Sequence, residues 1–174
     1  MRYLTAILLI TVLLIISGCQ TVKPIRTVDR VDLNRFMGDW YVIASIPTFI
    51  EKNAFNAIES YRLDDDGTVA TTFKFNKGSF DGPLKEYHPR GYIRDKDSKA
   101  VWGMQFIWPF KAEYRIIFLS EDYSKTVIGR TKRDYVWIMA REKSIPGDEY
   151  AEILKFLQEQ DYNIKDIIKV PHEP

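Results

Sequence analysis

The run Asp64-Asp65-Asp66-Gly67-Thr68-Val69-Ala70-Thr71-Thr72-Phe73-Lys74-Phe75 holds a turn and a strand back to back. Three aspartates and a glycine supply the side-chain acceptor and the permissive backbone that a tight turn needs. Beyond the turn, Val69, Thr71, Phe73 and Phe75 alternate with Thr68, Ala70, Thr72 and Lys74, which is the period of a half-buried strand. The same grammar recurs on both sides. Trp40–Ile46 ends at Pro47, and Ala57–Leu63 runs into the turn. Leu84–Ile93, Lys99–Ile107, Glu113–Leu119, Ser124–Gly129 and Asp134–Arg141 follow with short connections. These segments predict an all-β domain: an eight-stranded antiparallel up-and-down barrel, a closure that leaves no strand edge. A barrel of this size has room for its own side chains or for one small ligand.

One helix interrupts the pattern. Ser144-Ile145-Pro146 starts it, and Asp148 and Glu149 place carboxylates in the first turn, where they suit the helix dipole. Tyr150, Ile153, Leu154 and Leu157 form one apolar stripe, expected to pack on the barrel wall. Asn163–Val170 reads as a last short extended segment.

Charged neighbours set the phase of each strand. Trp40, Val42 and Ala44 share one face, and Lys74 outward puts Phe73 inward. Gln105 outward puts Trp102, Met104 and Phe106 inward, and Arg115 outward puts Tyr114, Ile116 and Phe118 inward. On the last strand Tyr135, Trp137 and Met139 share a face. Lys85 and Arg90 cannot both face out on an unbroken period, so a bulge or break is expected near Pro89. Glu59 shares the face of Tyr61 and would be a costly interior carboxylate. Its options are an inward cation, a ligand head group, or the wet mouth of the barrel, and the mouth is preferred.

The other signal lies at the start. Tyr3–Ile16 is almost wholly apolar behind Arg2, and Ile16-Ser17-Gly18 leads into Cys19, the only cysteine. This is the layout of a secretory signal with a cleavage site, and about fourteen residues are short for a membrane span. The tetrad Ile16-Ser17-Gly18-Cys19 resembles the bacterial lipobox, which implies cleavage before Cys19 and acylation of its thiol and amine. Gln20 rather than aspartate after Cys19 implies export to the outer membrane, by the sorting rule of Gram-negative lipoproteins. The domain reading is therefore 1–18 signal peptide, 19–30 lipidated tether and 31–174 barrel domain. A polar tether over Thr21–Arg30 could reach about 35 Å.

Removal of residues 1–18 leaves 156 of the 174, a single-domain length, with 24 basic residues against 24 acidic. That balance argues against a nucleic-acid partner. With Cys19 acylated, no thiol remains for disulfides, thiolate catalysis or thiolate metal sites. The two histidines, His88 and His172, are far apart in sequence and lack metal-ligand spacing. No catalytic group, cofactor or metal is expected. His88 beside Pro89 reads as a strand or bulge residue.

Gly38-Asp39-Trp40-Tyr41 opens the first strand and Arg141 closes the eighth. This pattern resembles the lipocalin family, whose first motif is G-x-W and whose third is an arginine past the last strand. The resemblance implies that Arg141 packs over Trp40 at the closed end, with Gly38 completing a structural motif. The second family motif is weakened here: Ser120-Glu121-Asp122-Tyr123 keeps the tyrosine but has Ser120 where an aspartate is expected, and that turn is given no role. Arg133-Asp134-Tyr135-Val136-Trp137-Ile138-Met139-Ala140-Arg141 and Trp108-Pro109-Phe110 resemble the bacterial outer-membrane lipoprotein branch, which is related to apolipoprotein D and plant temperature-induced lipocalins.

By that resemblance the barrel would carry a lipid, a fatty acid or a lysophospholipid, for membrane maintenance. The expected ligand-binding set is Tyr61, Phe73, Tyr87, Trp102, Met104, Phe106, Tyr114, Ile116, Trp137 and Met139. The open end would be ringed by Pro47–Asn56, Asn76–Pro83, Trp108–Ala112 and Arg130–Arg133, whose aromatics and cations suit a membrane-facing rim. The competing readings are a barrel filled by its own side chains in a structural lipoprotein, a carrier of another small hydrophobe, and an enzyme on the same fold. The sequence leaves monomer and homodimer open.

Overall fold

The computed structural model describes residues 24–173; the signal segment and Cys19 lie outside them. A short helix α1 (Leu33–Phe36) leads into β1 (Gly38–Ile46), β2 (Ala54–Leu63), β3 (Val69–Lys77), β4 (Leu84–Tyr87), β5 (Arg90–Ile93), β6 (Val101–Ile107), β7 (Phe110–Leu119), β8 (Lys125–Gly129) and β9 (Val136–Ala140). Helix α2 (Gly147–Glu159), a turn of 3-10 helix (Ile164–Asp166) and β10 (Ile168–Lys169) complete the chain. The strands pair antiparallel in the order β1-β2-β3-β5-β6-β7-β8-β9, with β4 also on β3, and β1 pairs with β9, so the sheet closes on itself. β4 and β5 form one bent strand. They pair with β3 on either side of His88-Pro89, and the Pro89 carbonyl still accepts from the Thr71 amide at 3.1 Å. Counting that strand once gives the eight-stranded barrel, with the break where the Lys85/Arg90 conflict places it. β10 adds to the outside of β1.

The pleat sorts side chains into two cores. Val69, Thr71, Phe73 and Phe75 are buried while their neighbours on β3 are not, as the alternation predicts. The inner core collects Phe36, Trp40, Val42, Tyr61, Trp102, Tyr114, Ile116 and Met139. The outer core lies between barrel wall and α2, where Ile153 and Leu157 meet Ile117, Val127, Val136 and Ile138. Two expectations fail here for one reason. A register shift between Val42 and Ala44 turns Ala44 outward, and another between Ile116 and Phe118 does the same to Phe118. An inserted residue reverses every side chain beyond it. Phe118 therefore packs on Phe156 of α2, ring centroids 5.8 Å apart, instead of entering the barrel.

The stretch read as a tether is also corrected. Ile25 is buried in the outer core, the Val28 amide donates to the Ile116 carbonyl at 3.0 Å, and the Val31 amide donates to Ser98 at 2.8 Å. Residues 25–30 thus lie along the barrel as part of the domain.

The closed end is built on α1. The Asp32 carboxylate caps the helix by accepting from the amides of Asn34 and Arg35. Phe36 then enters the barrel and lies against Trp40, Tyr61 and Trp102, with centroids 5.1, 5.7 and 5.5 Å away. The Arg141 guanidinium covers the Trp40 ring at 3.8 Å and donates to the carbonyls of Asp39, Arg35, Phe36 and Met37. Gly38 is required beside it: its φ is +94°, and a Cβ would stand 3.4 Å from the guanidinium. The Ser120–Tyr123 turn does have a role. The Tyr123 hydroxyl accepts from the Asp32 amide at 2.9 Å, and its ring carries the Arg35 guanidinium at 4.0 Å. Asp122 takes the place of the missing aspartate by accepting from Ser120 and Ser124, which holds its carboxyl far below the usual range.

Arg141→Ala removes the ring contact and strands several carbonyls, so a loss of about 2–3 kcal/mol is expected. At this chain length that corresponds to a fall in melting temperature of roughly 4–12 °C, read by circular dichroism. An unchanged melting temperature would show that the closed end is held by Phe36 and Trp40 alone.

Candidate functional site

Above the aromatic plug, the open half of the barrel encloses a cavity of about 280 Å³. Its walls are Phe73 from β3, Met104 and Phe106 from β6, Tyr114 from β7 and Trp137 from β9, with Tyr135 just before β9. The β1–β2 loop brings Thr48, Phe49, Ile50 and Glu51 across the mouth. Glu51 is fixed there by two donors at 2.8 Å, the Thr48 amide and the Trp137 indole. Arg130 stands on the opposite lip with its guanidinium over the Tyr135 ring at 5.1 Å and Asp134 at 3.4 Å.

Of the ten residues expected to bind ligand, Phe73, Met104, Phe106, Tyr114 and Trp137 line this cavity, and Phe106 does so at the rim, half exposed. The other five lie elsewhere in the inner core. Trp102 stacks on Tyr114 at 5.3 Å and spends its indole N–H on the Lys99 carbonyl, deep in the plug. Ile116 and Met139 are fully buried at that level. Tyr61 lies under the floor, and Tyr87 stacks on Phe73 and Phe75 away from the cavity lining. Alternation tells which face a residue takes but not its height along the barrel axis. Thr71 also lines the cavity, on the face that the β3 alternation gives it, and Glu51 lines it from within the expected rim segment Pro47–Asn56; nothing in a loop sequence marks Glu51 itself.

Glu59 is the main correction. It is 8 % exposed and sits at the cavity floor, not at the mouth. The Tyr61 hydroxyl bonds its Oε2, and the Tyr61 and Tyr114 hydroxyls are 2.6 Å apart. Burial, aided by the charge of Glu51, pushes the Glu59 carboxyl up to about 8. Burial and the neighbouring Glu59 charge likewise raise the Tyr114 phenol well above its ordinary value. The floor is therefore a neutral polar cluster at pH 7 in a chamber whose walls are mostly apolar and aromatic, with Glu51, Glu113 and Arg130 among its other lining residues. A chamber of this kind can hold a small or extended hydrophobe and fix one polar group. Among the described residues, no group of three or more His, Cys, Asp or Glu side chains could hold a metal ion.

The rim carries a patch of aromatic surface. Phe49, Trp108 and Phe110 are 81, 82 and 76 % exposed, and Ile107 stands with them. Phe55 and Phe80, also expected at the rim, pack on each other at 5.0 Å. Lys77 donates to the Ile50 and Lys52 carbonyls, Lys111 covers the Tyr92 ring, and Arg133 bonds Gln160, so these cations brace loops.

Residues 31–172 match the family model of the lipocalin-like domain. The chain belongs to the lipocalin family. It is 27 % identical over 161 residues to temperature-induced lipocalin-1 of Arabidopsis thaliana, covering 86 % of this chain and 83 % of that one. It is 26 % identical over 175 residues to the outer membrane lipoprotein Blc of Escherichia coli K12, covering 98 % and 97 %. Insecticyanin from the tobacco hornworm shares the fold with a TM-score of 0.67 at 16 % identity, over 87 % of this chain and 86 % of that one.

The raised Glu59 carboxyl sets a pH dependence. The folded lipocalin domain holds this proton between pH 4.5 and about 8 while the unfolded chain does not. The stabilisation is complete below pH 4.5 and is lost as pH rises through about 8, with a slope of at most about 1.4 kcal/mol per pH unit. Glu59→Gln should flatten urea-unfolding stability across that window and make the variant the more stable protein at its upper end. A slope equal to that of the parent would place the titration elsewhere.

Proposed function

We propose that this lipocalin is anchored in the outer membrane through acylated Cys19 and binds lipids, fatty acids or lysophospholipids, which it stores or carries for membrane maintenance. The observation that carries the reading is the aromatic chamber of about 280 Å³, open at its mouth, in the open half of the barrel. A side-chain-filled structural barrel would have no such space, although the closed half is filled. Arg130 on the lip supports a carboxylate or phosphate headgroup at the mouth with the chain directed inward. The sequence Ile16-Ser17-Gly18-Cys19 and the likeness to proteins named outer membrane lipoprotein support the anchor. Packing of residues 25–30 on the barrel supports a domain held close to the bilayer, where the exposed Phe49, Trp108 and Phe110 suit an interfacial rim. More than one acyl chain on Cys19 would make that anchoring stable.

Titration of the purified domain with lysophospholipid and fatty acid should quench tryptophan fluorescence saturably, and lipid should co-purify by mass spectrometry. Trp137→Phe should remove most of the quench, because Trp137 lines the chamber, while Trp102→Phe should keep it. Absence of both co-purified lipid and saturable quench would favour an interaction lipoprotein. Separately, Cys19→Ser should move the protein from the membrane to the soluble fraction of a Gram-negative host; retention in the membrane would rule out the lipid anchor.

A further inference from the structure

The cavity floor carries a chemistry that a plain acyl chain does not use. Glu59 Oε2 is bonded by Tyr61, and Tyr61 by Tyr114. Among the described residues, Glu59 Oε1 has no hydrogen-bond partner, and Glu59 lines the chamber. A methyl terminus pressed onto that oxygen would strand an acceptor, at a cost of about 1–3 kcal/mol. The charges facing the chamber are not balanced either. Glu113 is satisfied by Arg115 and Thr131. Arg130, the basic side chain among the lining residues, stands at the mouth 3.4 Å from Asp134, with no hydrogen-bond partner for its Nε among the described residues. Glu51 faces the chamber with only neutral donors, the Thr48 amide and the Trp137 indole. This leaves the charge of Glu51 and the neutral carboxyl of Glu59, with the rings of Phe73, Tyr114, Tyr135 and Trp137 lining the same chamber and no basic side chain among them. Carboxylates among aromatic faces are a cation's surroundings.

We propose that the Glu59–Tyr61–Tyr114 floor is a specificity site for the ammonium end of an apolar chain, so that the barrel takes a long-chain amine with its polar end inward. This rests on the reading of the chamber as a site for single-chain amphiphiles and adds a second ligand class, bound in the opposite orientation to an acyl chain whose headgroup stays at the mouth. The floor is suited to the exchange it requires. With Glu59 protonated, three O–H groups serve two internal links, so one donor is surplus. Once the carboxyl gives its proton to solvent, Tyr61 donates to Glu59 and Tyr114 to Tyr61, every phenol proton is placed, and Oε1 accepts from the ammonium. The bound state is an ammonium–carboxylate pair, and one proton has gone to the buffer. Because the free carboxyl titrates near 8, that release is visible at pH 7. A fatty acid entering carboxylate-first would instead meet two acidic groups.

The test compares decylamine, decanol and decanoate, a series that differs only in its end group, with lysophospholipid as a fourth probe. Calorimetry is run at pH 7 in buffers of different ionisation enthalpy. The full-length mature protein should bind decylamine most tightly and decanoate least, with close to one proton released per amine bound. Glu59→Gln should weaken decylamine about tenfold or more, abolish the proton release and leave decanoate unchanged or tighter. Decanoate binding as tightly as decylamine, or amine binding without proton release, would overturn the floor assignment while leaving the lipid-carrier reading in place if lysophospholipid binds. Failure of all four probes would remove the carrier reading itself. The proton count is taken on the parent protein, so the outcome does not depend on the variant folding.

Discussion

The Arg141 guanidinium lies flat on Trp40 and donates to carbonyls of Arg35, Phe36, Met37 and Asp39, and the rest of the barrel is organised from that contact. It ties the end of the last strand to the segment that precedes the first. Three of the carbonyls it serves, those of Arg35, Phe36 and Met37, belong to the end of a four-residue helix, which cannot satisfy them itself, and the Phe36 carbonyl also accepts from the Trp40 indole at 2.8 Å. Once they are fixed, Phe36 has a single direction available, into the barrel axis. Trp40, Tyr61 and Trp102 close around it. The closed half is consequently solid, and any chamber must lie above it.

The plug also decides the character of the chamber floor. Two of its rings are tyrosines, whose bodies pack among Phe36 and Trp102 while their hydroxyls meet at the top of the stack. Phenylalanine in both places would leave an apolar floor on which a carboxyl could not remain without partners. The phenols give Glu59 a hydrogen-bonded place and hold it where it touches both plug and chamber. The boundary between packed barrel and open barrel is thus a polar layer one side chain thick.

Much of this was legible in the sequence. Lys74 against Phe73 and the Asp64–Gly67 turn gave strand phase and hairpin. The conflict between Lys85 and Arg90 located the break at His88-Pro89, and the spacing of Ile153 and Leu157 gave a helix with one buried stripe. What stayed hidden was of two physical kinds. Register shifts at Ile43 and Ile117 reversed Ala44 and Phe118, because a bulge is set by pairing across strands and leaves no periodic trace in one strand. Height along the axis was hidden too. Trp102 and Met104 share a face two residues apart, yet one is in the plug and the other in the chamber wall.

Glu59 combines both difficulties. Its phase was readable from Tyr61, but its depth depended on how far up the barrel the aromatic plug would extend, and that is fixed by Phe36, a residue outside every strand. An acidic side chain on an inward face near a loop is most economically placed in water. Here the β1–β2 loop reaches the mouth and is pinned by the bonds of Glu51 to the Thr48 amide and the Trp137 indole, and Glu59 lies below it with 8 % of its surface exposed. The same Glu51 then adds its negative charge to the chamber and makes ionisation of Glu59 harder. Burial at the chamber floor and the charge of the loop residue Glu51 thus act in the same direction, and both keep the proton on Glu59.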